Sequence, residues 1–170
     1  MKYVQIILLS LCTFSISLSV TAQVVKPLAI EKNISTMIDQ WHEAAANADY
    51  KGYFNLMTDD AVFIGTDPSE NWQLEAFKTF AKPYFDKGKA WSFTNLKRAV
   101  YVSENKQYGW FDELLSTQMG ICRGSGIVIA TQTGWKIKHY VLSITIPNEN
   151  VSEVTALKQK FETNFILKLN

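Results

Sequence analysis

The C-terminal half of the chain holds four apolar segments separated by short polar turns, and this pattern constrains the fold most. Each segment has the length and composition of a β-strand, and the intervals are short enough for hairpins. The four segments are Ser92–Val102, Tyr108–Ser116, Ile121–Thr131 and Trp135–Ile146. Strands joined by short turns pair antiparallel, so the sequence predicts a meandering antiparallel sheet.

Helical spacing dominates the part of the chain before this sheet. Leu28–Ala48 and Tyr50–Met57 read as helices, and Ala61–Ile64 reads as a short strand. The segment Asp67-Pro68-x-Glu70 has the pattern of a helix start, with a capping carboxylate and a proline in the first turn. Helices followed by a meandering sheet predict an α+β fold, in which a curved sheet packs on N-terminal helices and leaves a cone-shaped hollow.

The two ends of the chain are predicted to lie outside this domain. Residues 1–22 read as a signal peptide, with Lys2, the apolar run Ile6–Val20 and small residues before Gln23. We therefore expect an exported protein, periplasmic or secreted, that has no membrane association after removal of the signal. Residues 23–29 form a short N-terminal segment, 30–147 the domain, and 148–170 a C-terminal extension with a helix at Val151–Leu169.

Composition and charge exclude several classes of partner and cofactor. Seventeen basic and sixteen acidic residues give a net charge of +1, which provides no field to attract nucleic acid. Cys122 is the only cysteine after the signal, so an internal disulfide is excluded. Two histidines without nearby acidic ligands make a poor metal site, and no glycine-rich phosphate loop is present. We predict neither a metal nor a cofactor.

Charged residues in the apolar strands are the best candidates for a functional site. Arg123 shares its strand face with Ile121, Ser125 and Ile127. It is predicted either to bind a ligand carboxylate in the cavity or to pair with Asp112 or Glu113 across the hairpin. Asp112 and Glu113 point to opposite faces of their strand. Because both faces are apolar, the alternation of side chains along the strand does not show which acid faces the cavity. An acid in an apolar pocket could act as a general acid or base.

Histidine and aromatic side chains complete the predicted site. His139 lies on a face with Trp135, Ile137 and Val141 and is predicted to be a proton shuttle or a pocket-wall residue. His42 is expected at the flank of the first helix. Many aromatic side chains in a cone suggest an apolar cavity wall. Those predicted as ligand contacts are Trp41, Phe63, Trp72, Tyr84 and Phe111, and the acid Glu113 is predicted as a further ligand contact.

Two stretches resemble the SnoaL-like branch of the NTF2-like proteins. WHEAAANADYKGYFNLMTDDAVFIGTD is similar to the opening of that fold and RGSGIVIATQTGWKIKHYVLS to its end, so the resemblance runs from about Ile30 to Ile146. It implies a homodimer through the outer sheet face, with one pocket per subunit. Positions that carry catalysis in ketosteroid isomerases of this fold hold Gly65 and Trp41, and the usual histidine position holds Val141, so steroid-type isomerisation is not expected.

Three functions follow from these residues and from the resemblance. The leading one is binding of an unknown small molecule, partly apolar and, if Arg123 faces it, anionic. The second is a proton-transfer enzyme of isomerase or lyase type, with His139 or Asp112 as base and Arg123 stabilising developing charge. The third is a dimeric interaction domain without catalysis, which would need a large exposed apolar patch.

Overall fold

The computed structural model describes residues 27–169, so the predicted signal peptide and most of the N-terminal segment lie outside the described residues. The helices are α1 (Pro27–Ala46), α2 (Tyr50–Asn55), α3 (Leu74–Asp86) and α4 (Val151–Leu169), the last preceded by a 3₁₀ turn at Asn148–Asn150. The strands are β1 (Met57–Ile64), β2 (Asn71–Gln73), β3 (Thr94–Val102), β4 (Tyr108–Thr117), β5 (Gly120–Thr131) and β6 (Gly134–Ile144).

The predicted α+β fold is confirmed: one curved six-stranded sheet packs against the N-terminal helices. Its strand order is β2-β1-β6-β5-β4-β3, and the four C-terminal strands form the expected antiparallel meander. The register shifts at Asn95–Lys97 and at Ile127–Val128, and such irregularities bend strands. The inner face of the sheet, which carries Phe63, Phe111, Leu115, Val128 and Tyr140, packs against the helices.

Two expectations for the region before β3 are wrong in detail: the helix start at Asp67 and the boundary between α2 and the first strand. Asp67-Pro68-x-Glu70 does not start a helix: Asp67 accepts from the backbone of Ser69 in a turn, and β2 separates this turn from α3. The first strand begins at Met57, four residues earlier than predicted, and α2 ends before it. That strand pairs in parallel with β6, a long-range pairing that no local pattern indicated.

The C-terminal helix α4 forms at the predicted residues but buries no side chain. Leu157 is 83% exposed, and Phe161, Ile166 and Leu167 are also exposed. Lys158, Phe161 and Glu162 border a groove whose other wall is the turn after β1, so the helix lies beside that turn without sealing it. No helix between residues 27 and 169 is long and apolar enough to cross a membrane.

Candidate functional site

An apolar cavity of about 130 Å³, hereafter the aromatic cavity, lies between α3, the inner face of the sheet and the β4–β5 turn. This volume is close to the roughly 150 Å³ of cavities that admit a benzene ring. Side chains from β1, β2, α3, β6 and the segment after α3 form the walls. The lining residues are Phe63, Gly65, Thr66, Glu70, Trp72, Phe77, Phe80, Trp91, Phe93, Gln118, Met119 and Leu142.

Stacked rings give the aromatic cavity its shape. Phe63 on β1 lies parallel to Phe77 on α3, with ring centroids 4.1 Å apart, and Trp72 stacks on Phe80 at 4.3 Å. Glu70 is the only charged residue that lines the cavity among the residues that the structure describes. Its carboxylate accepts a hydrogen bond from the backbone N–H of Asp67. A negative group at the wall disfavours anions, so the cavity suits a neutral ligand.

A second polar assembly, the buried cluster, consists of His42, Arg98, Glu113 and Tyr140. Glu113 is fully buried, and its two carboxylate oxygens accept four hydrogen bonds. Oε1 accepts from His42 Nε2 at 2.8 Å and from the Tyr140 hydroxyl at 2.9 Å. Oε2 accepts from Arg98 Nε at 2.9 Å and from Arg98 Nη2 at 2.7 Å, so two donors of the guanidinium converge on one carboxylate oxygen in a charge-assisted ion pair.

Arg98 connects the buried cluster to the first helix. Its side chain is only 3% exposed, and Nη1 donates to the backbone oxygen of Ser35 at 2.9 Å and to Asp39 Oδ1 at 2.6 Å. Ser35, Asp39 and His42 follow at intervals of four and three, which places them on one side of a helix. One stripe of α1 therefore meets one carboxylate on β4 through the arginine of β3.

The buried cluster shifts two acid–base equilibria in opposite directions. Burial alone raises the pKa of Glu113, but the hydrogen bonds and charges of His42 and Arg98 outweigh burial and hold it below its ordinary range. Burial, with the neighbouring Glu113 carboxylate, raises the pKa of the Tyr140 hydroxyl well above its ordinary value. Glu113 is therefore ionised and Tyr140 is a permanent donor near neutral pH.

A glycine makes the contact between Glu113 and Tyr140 possible. Gly124 on β5 lies between β4 and β6, opposite Glu113 and opposite Leu142. A Cβ atom at this position would collide with the Tyr140 hydroxyl and come within 2.9 Å of Glu113 Oε1. The absence of a side chain at Gly124 therefore leaves room for the tyrosine of the neighbouring strand.

Three predicted site residues lie on the other side of the sheet. Arg123 is exposed, and Asp112 and His139 are half-buried on the same outer face, away from the aromatic cavity. The expectation that Arg123 faces the cavity is wrong, as is its pairing with Glu113, because Arg98 holds that acid. Within the described part of the chain Arg123 makes no ion pair.

The structure divides the predicted aromatic contacts into three groups. Phe63 and Trp72 line the aromatic cavity. Trp41 and Phe111 are core residues, 1% and 2% exposed, which pack against Tyr140 behind the cavity wall. Tyr84 is 43% exposed on α3 and contacts Phe80 from outside.

Sequence reasoning missed Arg98 and Tyr140 and placed His42 at a helix flank, whereas it is 5% exposed. The sequence did contain a signal for Arg98. The turn between β3 and β4 places Val102 opposite Gly109, and the same antiparallel register places Arg98 opposite Glu113. No group of three or more His, Cys, Asp or Glu side chains among the described residues could hold a metal ion.

Comparison with known families now identifies the domain. The sequence model of the SnoaL-like domain matches residues 34–147, which is well over half of the chain. The chain belongs to the SnoaL-like family. A comparison with curated protein sequences finds no match for this SnoaL-like chain.

Solved structures share the fold of the SnoaL-like domain at low sequence identity. An NTF2-like protein of unknown function from Pseudomonas putida KT2440 has a TM-score of 0.61 at 15% identity, covering 72% of this chain and 92% of its own. A cystatin-like-fold domain of unknown function from Nostoc punctiforme has 0.60 at 16% identity, covering 85% and 98%. A member of the NTF2-like family from Streptomyces avermitilis has 0.59 at 13% identity, covering 72% and 100%.

Replacing Glu113 with Gln is expected to lower the free energy of unfolding by about 3–5 kcal/mol, because the buried Arg98 loses its buried counter-ion and keeps only the exposed carboxylate of Asp39. Urea denaturation followed by circular dichroism measures the change. Glu75→Gln serves as a control, since that side chain is 81% exposed and pairs only with Lys78. A loss no larger than that of the control would contradict the structural role of the pair.

Lowering the pH should remove the contribution of Glu113 to the free energy of unfolding. The pKa of Glu113 is lowered in the folded protein. Its contribution to the free energy of unfolding is therefore complete above the pKa that it has in the unfolded chain, about 4.3. That contribution is lost as the pH falls through the pKa of the folded protein. The difference in unfolding free energy between wild type and Glu113→Gln should be constant at pH 5–6 and shrink below about pH 4. A difference that grows on acidification would be inconsistent with a lowered pKa.

Proposed function

We propose that the SnoaL-like domain binds a small, neutral, largely apolar molecule in the aromatic cavity. The observation that supports this most is the cavity itself, which has about the volume of one ring and walls made mostly of aromatic and aliphatic side chains. The fold is consistent with ligand-binding and with isomerase-type domains. An anionic ligand is disfavoured, because the arginine that would have bound it lies on the outer face and the lining carries Glu70 instead.

The geometry gives less support to proton transfer by the predicted residues. His139 and Asp112 face away from the aromatic cavity, so neither can reach a molecule bound in it. Glu113 is ionised and already accepts four hydrogen bonds from the protein, so its lone pairs are not available to take a proton from a ligand. Binding is therefore preferred to catalysis as the proposed activity. Export to the periplasm or medium, as the N-terminal residues predict, remains part of the proposal.

Ligand binding is tested with benzene and its charged analogue benzoate. A probe at ten times its dissociation constant stabilises the fold by about 1.4 kcal/mol, which raises the melting temperature of a domain of this size by roughly 3–6 °C. Benzene is expected to produce such a shift, and benzoate is not, because of Glu70. Equal shifts for both probes would contradict the charge argument.

A matched pair of variants locates the binding site. Leu142→Trp is expected to abolish the benzene shift, because the larger ring occupies the aromatic cavity. Ile144→Trp, on the same strand but 49% exposed and outside that cavity, should keep it. Melting of each variant without probe shows that it folds. Retention of the shift in Leu142→Trp would place binding elsewhere and defeat the proposal.

We also propose that the outer sheet face pairs with a second copy of the chain. Tyr101 and Trp110 stack on this face at 5.6 Å, and five large apolar side chains are 42–53% exposed there. They are Tyr101, Tyr108, Trp110, Ile121 and Ile127. Such exposed area is typical of a protein interface.

The charges on the outer face complement one another under two-fold symmetry. Asp112 lies opposite Ser125 on β5, and Arg123 lies two residues along the same strand. Because a two-fold interface brings the same patch of each subunit together, Arg123 of one copy can meet Asp112 of the other in both directions. In this arrangement Arg123 and Asp112 bind each other across the interface instead of a ligand in the cavity.

Reversing the arginine tests the assembly. Arg123→Glu is expected to shift the protein from dimer to monomer in sedimentation equilibrium, because it places like charges opposite each other. Combining it with Asp112→Arg should restore the dimer. Lys89→Glu, an exposed change of the same charge away from this face, should leave the mass unchanged. A wild-type protein that sediments as a monomer at micromolar concentration would refute the interface.

A further inference from the structure

Glu70 is the one charged side chain that borders the aromatic cavity within residues 27–169, and the protein satisfies its carboxylate only in part. One oxygen, Oε2, accepts a hydrogen bond from the backbone N–H of Asp67 at 3.1 Å. The other oxygen, Oε1, accepts none from the described residues, and the carboxylate takes part in no ion pair with them. A carboxylate has about four acceptor positions, so this half-buried group keeps most of its accepting capacity.

The turn after β1 fixes the position of this carboxylate. Gly65 donates its N–H to the Glu70 carbonyl at 3.0 Å, and Glu70 donates its own N–H to the Asp67 carbonyl at 2.9 Å. Gly65 itself borders the aromatic cavity. A Cβ atom built on Gly65 would lie 2.1 Å from Glu70 Oε2, so the carboxylate occupies the space that a side chain at Gly65 would need. The acceptor therefore lies at a defined place in the cavity wall.

No donor side chain of the described cavity wall satisfies this acceptor. Neither Gln118 nor the indoles of Trp72 and Trp91 donate a hydrogen bond to the carboxylate, although all three residues line the cavity. Lys158 borders the neighbouring groove together with Glu70, but it pairs at 2.7 Å with a glutamate on its own helix. The free oxygen is therefore left to water or to a ligand.

A ligand that enters the aromatic cavity displaces water from this carboxylate. A ring without a donor leaves the acceptor unpaired, and an unpaired polar group in a binding site weakens binding. A donor on the edge of the ring replaces the lost bond with a charge-assisted one, which is stronger than a bond between neutral groups. The stacked rings of the wall contribute apolar contact to any ring of suitable size, so the carboxylate is the group that discriminates among such rings.

We propose that Glu70 determines the specificity of the aromatic cavity and selects a neutral ring that carries a hydrogen-bond donor on its edge. This inference rests on the proposed function, because the ring must first occupy the cavity. It narrows the ligand from any small apolar ring to one whose donor reaches the free carboxylate oxygen.

Calorimetric titration of the full chain with pyrrole and furan tests this proposal. The two rings have nearly the same size and shape, both are smaller than benzene, and only pyrrole has an N–H donor. Because the two rings differ in hydration, the measured quantity is the ratio of their dissociation constants in each protein. Glu70→Gln is expected to reduce the preference for pyrrole on the order of tenfold. The amide oxygen of the variant accepts from Asp67 N–H, so its NH₂ group, a donor, replaces the free acceptor.

Gly65→Ala displaces the same carboxylate without removing its charge. The new methyl group would collide with Glu70 Oε2, and the backbone at Gly65 does not have the positive φ that would exclude alanine. This variant should also lose the preference for pyrrole severalfold, because the oxygen no longer lies at its place in the wall. Glu75→Gln removes a charge from an 81% exposed position on α3 that does not line the cavity, and it should keep the wild-type ratio.

The outcomes separate this inference from the proposed function. Melting of each variant without probe shows that it folds. If the ratio of dissociation constants is the same in wild type, Glu70→Gln and Gly65→Ala, the inference is overturned while cavity binding stands. If neither ring binds to the wild-type protein, the proposed function fails, and the inference falls with it.

Discussion

One buried carboxylate joins the separate parts of this fold. Glu113 on β4 accepts hydrogen bonds from α1, β3 and β6, through His42, Arg98 and Tyr140. Four donors, two of them from the charged guanidinium of Arg98, offset the cost of removing this charge from water, a cost that apolar neighbours alone would leave uncompensated. Because the geometry needs all three elements at once, it also fixes which face of the sheet meets the first helix. The aromatic cavity forms beside this fixed junction.

The fold was largely predictable, because strand length, turn chemistry and helical spacing are local properties. The meander and the C-terminal helix follow from such patterns. The face of Arg123 was not predictable. Its strand alternates Ile121, Arg123 and Ile127 with Cys122, Gly124 and Gly126, and the large apolar residues suggested the interior. The interior is instead the side with small residues: Phe111 and Tyr140 from neighbouring strands fill the space over the glycines.

The site was predictable only in part for a related reason. Phe63 and Trp72, which were predicted as ligand contacts, line the aromatic cavity, and each lies next to a turn at the rim of the sheet. Glu113 was recognised as an unusual acid, and Arg98 lies opposite it on the same hairpin, but its other partners are Tyr140 on β6 and His42 on a helix 71 residues away. Contacts at that distance in the chain leave no periodic trace. The size of the aromatic cavity also depends on ring packing, which sequence patterns do not report.

The pairing of β1 with β6 has a consequence for how the chain folds. The meander can assemble from neighbouring hairpins, but β1 must wait for a strand that begins about 70 residues after it ends. Closing so long a loop is entropically costly, and folds dominated by such contacts fold slowly. During synthesis, α1, α2 and β1 leave the ribosome with their apolar faces uncovered until the last strand has emerged. The N-terminal third of this domain is therefore the part most dependent on being kept from aggregation before the chain is complete.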